Sequence, residues 1–125
     1  MQPGTIKIKR GQEKTVRVTL KVRSSVDGSL SNPDISGTPN IKLRVFPNLK
    51  KGTAASIEKT GSDISVVTDG TSGQNAVIEV TFAESDTNTL DPTKARYWQA
   101  FSQKSNVTTP YDPGIFIIEP SGDYS

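Results

Sequence analysis

The chain of 125 residues has no histidine and no cysteine. These are the residues most often recruited as nucleophile, neutral-pH base or transition-metal ligand. Their absence excludes Ser-His and Cys-His catalytic devices and the usual zinc site, and it leaves no disulfide to support a fold. Long hydrophobic runs are missing as well. No segment approaches the ~20 apolar residues of a membrane span. The start, Met1-Gln2-Pro3-Gly4, has no apolar stretch of the kind a secretory leader carries, so synthesis in a cytosol is expected. Hydrophobic residues make up only 32% of the chain and the mean hydropathy is −0.47, which raises the question of disorder. Disorder is rejected because the apolar residues are clustered and phased, the exceptions being residues 84–93 and the last five.

What is present is a series of short alternating segments. Residues 5–9 place Ile6 and Ile8 on one side and Lys7 and Lys9 on the other. After a turn at Arg10-Gly11-Gln12-Glu13, residues 15–23 alternate without a break: Val16, Val18, Leu20 and Val22 share one face, and Arg17, Thr19, Lys21 and Arg23 the other. Residues 24–40 read as loop, with Asp27-Gly28, Asn32-Pro33, Ser36-Gly37 and Thr38-Pro39. Alternation returns over 41–46, with Ile41, Leu43 and Val45 inward, and Pro47 ends it. Short strands are expected over 55–59 and 64–68, split by Gly61, and a longer one over 74–82, where Ala76, Ile78, Val80 and Phe82 share a face. Thr81 and Glu84 have capping-box spacing and suggest one or two helical turns to about Asn88. An aromatic-rich strand over 95–102, a polar loop over 103–113 and a last strand over 114–119 complete the chain. Short strands, frequent turns and little helix predict an all-β, immunoglobulin-like antiparallel β-sandwich of about seven strands with one short helical turn. One domain spans 1–125, with 1–4 and 121–125 expected as flexible tails.

Two strands break the simple inside-outside rule. In 114–119, Phe116 and Ile118 point one way and Ile115 and Ile117 the other; in 95–102, Trp98 and Ala100 alternate with Tyr97, Gln99 and Phe101. Apolar bulk on both faces asks for a cover, either the 24–40 loop or another subunit. Tyr97, Phe101, Ile115 and Ile117 are therefore the first candidate protein-interface residues, followed by the outward basic set Lys7, Lys9, Arg17, Lys21, Arg23, Lys42 and Arg44. Charge is also divided along the chain. Residues 1–62 hold 12 Lys+Arg and 4 Asp+Glu (+8), and residues 63–125 hold 3 and 9 (−6), a pattern suited to packing plus against minus.

Other chemistries fare worse. Nucleic-acid binding would need aromatics interleaved with the basic stripe, and apart from Phe46 they do not lie in it. The carboxylates Asp63, Asp69, Glu79, Glu84, Asp86 and Asp91 sit mostly in turns, where Asp serves the backbone, so glycosidase-like catalysis is disfavoured. A calcium site around 86–91 lacks EF-hand spacing. Lys50-Lys51-Gly52 and Thr71-Ser72-Gly73 are not phosphate loops. No metal, no other cofactor, no small-molecule substrate and no membrane partner is expected.

The ordered set of motifs resembles a β-sandwich module of tailed-bacteriophage virion proteins, best known as the N-terminal domain of phage baseplate upper proteins. The matching residues are Arg10-Gly11-Gln12-Glu13-Lys14-Thr15-Val16-Arg17-Val18, then Asp27-Gly28 and Asp34-Ile35-Ser36-Gly37 ahead of 41–45. They continue with Val80-Thr81-Phe82, Ser85-Asp86-Thr87, Leu90-Asp91-Pro92 and Tyr97-Trp98, and end with Gly114-Ile115-Phe116-Ile117-Ile118-Glu119-Pro120. Thr93 stands where the pattern has Gly, and the sequence stops where baseplate proteins continue into further domains. The resemblance implies a non-enzymatic virion subunit, either a baseplate or tail accessory protein or a capsid decoration or head-fibre anchor. It would contact other virion proteins and copies of itself, and it supplies no catalytic residues. The competing class is a carbohydrate-binding or adhesion module, whose glycan would stack on Trp98, Tyr97, Tyr111 or Phe46.

Overall fold

Most of the longer strands bury every second residue, and that alternation sorts the chain into two layers. The computed structural model describes residues 4–24, 26–36, 40–50, 52–92, 94–104 and 107–120. The larger sheet contains β1 (Ile6–Lys9), β11 (Gly114–Glu119), β9 (Arg96–Lys104), β5 (Asn40–Phe46) and β6 (Ile57–Lys59), in that order, with β10 (Val107–Pro110) also on β9. The smaller sheet has the order β2 (Lys14–Leu20), β8 (Ala76–Phe82), β7 (Ile64–Asp69). A two-stranded ribbon, β3 (Val22–Arg23) with β4 (Leu30–Ser31), lies apart from both. All pairings are antiparallel except β1 with β11, where Ile6 faces Phe116 and Ile8 faces Ile118. The chain changes sheet between β1 and β2, β2 and β5, β6 and β7, and β8 and β9. The protein is an all-β, immunoglobulin-like sandwich.

The inner faces meet in one core. Ile8, Leu20, Leu43, Val45, Ile78, Val80, Phe82, Trp98 and Phe116 are fully buried. Trp98 anchors it. Its indole N–H donates to the carbonyl of Gly4, a residue of the expected N-terminal tail, at 3.0 Å. The remainder of the expected tails, 1–3 and 121–125, lies outside the described residues. Gly114 sits opposite Trp98 in the ladder, and a Cβ there would lie 2.6 Å from the indole Cε2. Only a glycine allows so close an approach.

Local structure departs from the sequence expectation in several places. The helical turn α1 (Glu84–Thr87) forms, but Thr81 stays in β8 and bonds Thr15 across the ladder at 3.0 Å. Its cap is Asp86, which reaches back to accept the Ala83 N–H at 2.7 Å. The 24–40 segment is not all loop: it contains the second strand of the β3–β4 ribbon, and Asn40 already belongs to β5. The 103–113 segment is not a loop either, because β9 runs to Lys104 and turns back as β10. β10 and β11 are one return strand interrupted at residues 111–113. Pro110 faces Phe101 and Gly114 faces Trp98, so the return strand takes one more step than β9 over that interval, as at a bulge. The β1–β2 turn places Gly11 at φ +76, with its N–H on Thr87 Oγ1 at 2.8 Å, so the first turn docks onto α1.

Candidate functional site

The two outward faces differ in chemistry. On the smaller sheet the outward pairs are Thr15 with Thr81 and Arg17 with Glu79, with Ser65 beyond Glu79. Thr19 pairs with Val77 on the same face and Arg17 Nε meets Glu79 at 2.9 Å; the face is mostly polar, with Val66 and Val67 of the neighbouring β7 46% and 38% exposed. On the larger sheet the outward side chains of three neighbouring strands form an apolar row: Ile115 on β11, Tyr97 on β9, Phe46 on β5. Ile117 extends it toward β1, and Phe101 stands four residues further along β9, on the same face. Ile115 is 44% exposed, so no described segment covers it. The described part of the 24–40 segment goes elsewhere: Ile35 enters the core and its N–H bonds Asp69 at the end of β7. Parity explains the exposure. Residues 97, 99 and 101 of β9 must point away from Trp98 and Ala100, which fill the interior.

Cations surround this row. Lys7 faces Ile117 and Lys9 faces Glu119. Lys42 faces Phe101, and Arg44 lies between Gln99 and Glu58. Arg44 Nε meets Glu58 at 2.5 Å, and its guanidinium carbon is 5.5 Å from the Phe101 ring centroid. Lys50 follows in the connection after β5. Two shallow hollows flank Phe101. One, of ≈ 170 Å³, is bounded by Asn40, Lys42, Arg44, Gln103 and Thr108. The other, of ≈ 290 Å³, is bounded by Phe46, Leu49, Lys50, Thr53 and Gln99.

Eight of the eleven candidate interface residues thus share one face: Tyr97, Phe101, Ile115, Ile117, Lys7, Lys9, Lys42 and Arg44. Three do not. Arg17 is on the opposite sheet, paired with Glu79. Arg23, in the β3–β4 ribbon, makes a two-pronged contact with Asp112 at 2.8 and 2.9 Å, which raises its already high pKa through the hydrogen bond and the adjacent charge. Lys21 was expected outward and is buried. The strand ends at Leu20, the alternation slips by one, and the Lys21 ammonium turns inward to the side-chain oxygens of Asn32 and Asn75. Sequence pattern alone could not show this, because a lysine continuing a polar register looks solvated.

The fold also joins part of the divided charge within the molecule. Arg17–Glu79, Arg23–Asp112 and Lys59–Asp86 each join a cation of the first half to a carboxylate of the second. Lys59, which sequence reading passed over, is buried at the foot of the sandwich. It lies 2.5 Å from Asp86, 3.8 Å from Asp63 and 5.8 Å from the Phe82 ring centroid. It locks β6 to α1, the same turn that Asp86 caps. Arg96 is also buried, with Nη1 on the carbonyls of Asp91 and Lys94 at 2.8 and 3.2 Å and Nε unpartnered. Both are structural in position; Arg96 precedes Tyr97 on β9 but points to the opposite side of the sheet from the apolar row. Among the described residues no group of three or more His, Cys, Asp or Glu is arranged to hold a metal ion.

The aromatics once open to a glycan are redistributed. Trp98 and Tyr111 are buried. Burial raises the Tyr111 pKa, while its bond to Ser102 at 2.6 Å acts in the opposite sense. That leaves Tyr97 and Phe46, together with Phe101. By contrast, the objection that aromatics lie apart from the basic stripe fails in three dimensions: Phe46, Tyr97 and Phe101 stand among Lys42, Arg44 and Lys50.

The architecture defines the chain as an immunoglobulin-like sandwich with one mostly polar and one apolar-basic outward face. No protein-family model matches it. No curated protein matches it either. Among solved structures it is similar to AggA, the major subunit of aggregative adherence fimbriae type I from Escherichia coli. The identity is 12%, the TM-score is 0.30, and the match covers 94% of this chain and 89% of that one.

Proposed function

We propose that the chain is a non-enzymatic structural subunit of a tailed-bacteriophage virion that assembles through the outer face of its larger sheet. The observation that carries the assembly role is the asymmetry between the two outward faces. A solvated sheet face is satisfied by pairs such as Thr15–Thr81 and Arg17–Glu79, whereas Ile115, Tyr97 and Phe46 form a contiguous apolar row in which Ile115 is 44% exposed and Tyr97 and Phe46 are half-buried. Covering Ile115, Ile117 and Phe101 would stabilise an interface by several kcal/mol at roughly 25 cal/mol per Å², less the cost of association. The virion context is supported by the ordered motif resemblance alone. The surrounding charges set orientation and encounter rate more than affinity.

The test is made on particles. Mass spectrometry of virions purified from the source should find the chain in fixed ratio to a major structural protein. The double variant Ile115→Ser, Ile117→Ser should fold and be lost from the particles. Absence of the wild-type chain from virions would overturn the virion role, and normal incorporation of the double variant would overturn the docking face.

A further inference from the structure

We infer that the trough between β5 and β9 on this face binds an extended acidic segment of a partner protein, about six residues long. The inference rests on the assembly reading of the same face and specifies the chemistry of its partner. The trough runs along the strands between the outward side chains of β5 and those of β9, from the Asn40–Gln103 pair to the Phe46–Tyr97 pair. Six strand steps of ~3.4 Å make it about 20 Å long, room for about six extended residues. The two hollows are its ends, and the Arg44–Phe101 stack is a saddle between them.

Charge selects the occupant. On or beside this face the described cations are Lys7, Lys9, Arg23, Lys42, Arg44 and Lys50, against the carboxylates Glu58, Asp112 and Glu119, with Arg23 and Asp112 already paired beside Gln99. A second copy docking face to face in an isologous contact would set this basic surface against itself. A nucleic acid would need open aromatic faces for base stacking. Phe101 carries the Arg44 guanidinium, which Glu58 holds in place, and Phe46 and Tyr97 are half-buried in the row. An acidic polypeptide meets neither obstacle. Its carboxylates reach Lys42 in one hollow and Lys50 in the other, and a large apolar side chain lies against Phe46 and Leu49, which is 52% exposed. Asn40 and Gln103 supply amides for its backbone, while the Gln99 amide is held by the Tyr111 carbonyl at 2.9 Å.

The probe is a labelled octapeptide of alternating Glu and Leu, compared with the Lys–Leu peptide and with decathymidylate, by fluorescence polarisation and amide shift mapping on the intact chain. The Glu–Leu peptide should bind and move the amides of Lys42, Phe101 and Gln103. Phe101→Ser should weaken it about tenfold or more, as at an interface anchor. Lys42→Glu should weaken it about threefold or more, and the dependence on salt should fall with the lost charge. Arg17→Glu, an equal charge change on the opposite sheet, should leave binding unchanged, and circular dichroism should show every variant folded. The inference is overturned by no binding, by equal binding of the Lys–Leu peptide, or by unaltered binding in the folded Phe101→Ser variant. Tighter binding of the oligonucleotide, or self-association shifting the same amides, would also overturn it and assign the face to nucleic acid or to a second copy. Because the assay needs no particle, its failure is separate from failure of the virion role.

Discussion

Trp98 and Phe101 are three residues apart on β9, so they point to opposite faces, and the sandwich predicts opposite consequences for losing them. Trp98 is fully buried, packs against Gly114 and donates its indole N–H to Gly4. A buried aromatic of its size removes roughly 150–250 Å² from water, or about 4–6 kcal/mol of gross transfer free energy at roughly 25 cal/mol per Å². Truncation recovers part of that as the site relaxes, so Trp98→Ala should cost about 3–5 kcal/mol. A domain of this length has on the order of 6–15 kcal/mol in all, so the loss should lower Tm by on the order of 10–20 °C. Phe101 is half-buried on the outer face beneath Arg44. Phe101→Ser gives up part of one aromatic contact and an exposed cation–π interaction of ~0.5–1 kcal/mol, and the loss should stay near 1 kcal/mol. Urea unfolding followed by circular dichroism measures both, with unchanged m-values licensing the comparison. If Phe101→Ser destabilises the isolated domain as much as Trp98→Ala, β9 is misphased and the outer-face assignment falls with it.

Gly114→Ala should destabilise by about 1–3 kcal/mol through overpacking against Trp98, measurable in the same denaturation assay, and a neutral result would mean that the indole is free to retreat. Stability should also fall at both ends of the pH range. Hydrogen bonds from Thr71 hold the Asp69 pKa below its ordinary value, and those from Ser29 do the same for Asp27. A depressed carboxylate stabilises fully above its unfolded pKa of about 3.9 and loses that contribution as pH falls through the folded value, so the acid limb should begin below about pH 4 and shrink in Asp69→Ala. Tyr111 is raised by burial, so its contribution is complete below the unfolded pKa of about 10 and is lost as pH climbs through the folded value. An alkaline limb that persists unchanged in Tyr111→Phe would refute that origin.

Much of the sandwich could be read from the amino acids by themselves, because a pleated strand with one buried face imposes a period of two. Ile41, Leu43 and Val45, or Ala76, Ile78, Val80 and Phe82, announce their faces without any knowledge of their neighbours, and all are buried. The same parity placed Trp98 inward and Tyr97 and Phe101 outward. It failed where the chain leaves the strand, since periodicity carries no information across a break. Lys21 follows β2 by one residue and turns inward, and the capping role goes to Asp86 rather than to the Thr81–Glu84 pair. Pairing between distant segments was beyond sequence reading altogether. Only the tertiary structure set Ile115, Tyr97 and Phe46 in one row, because their adjacency depends on the strand order β11-β9-β5 and on a register adjusted by the break at 111–113. The same long-range pairing joined Arg17 to Glu79 and Lys59 to Asp86, turning a charge division along the chain into contacts within the molecule. Local alternation decides which side of a strand is wet; which strands lie side by side is decided by how the whole set of buried faces closes over a single core.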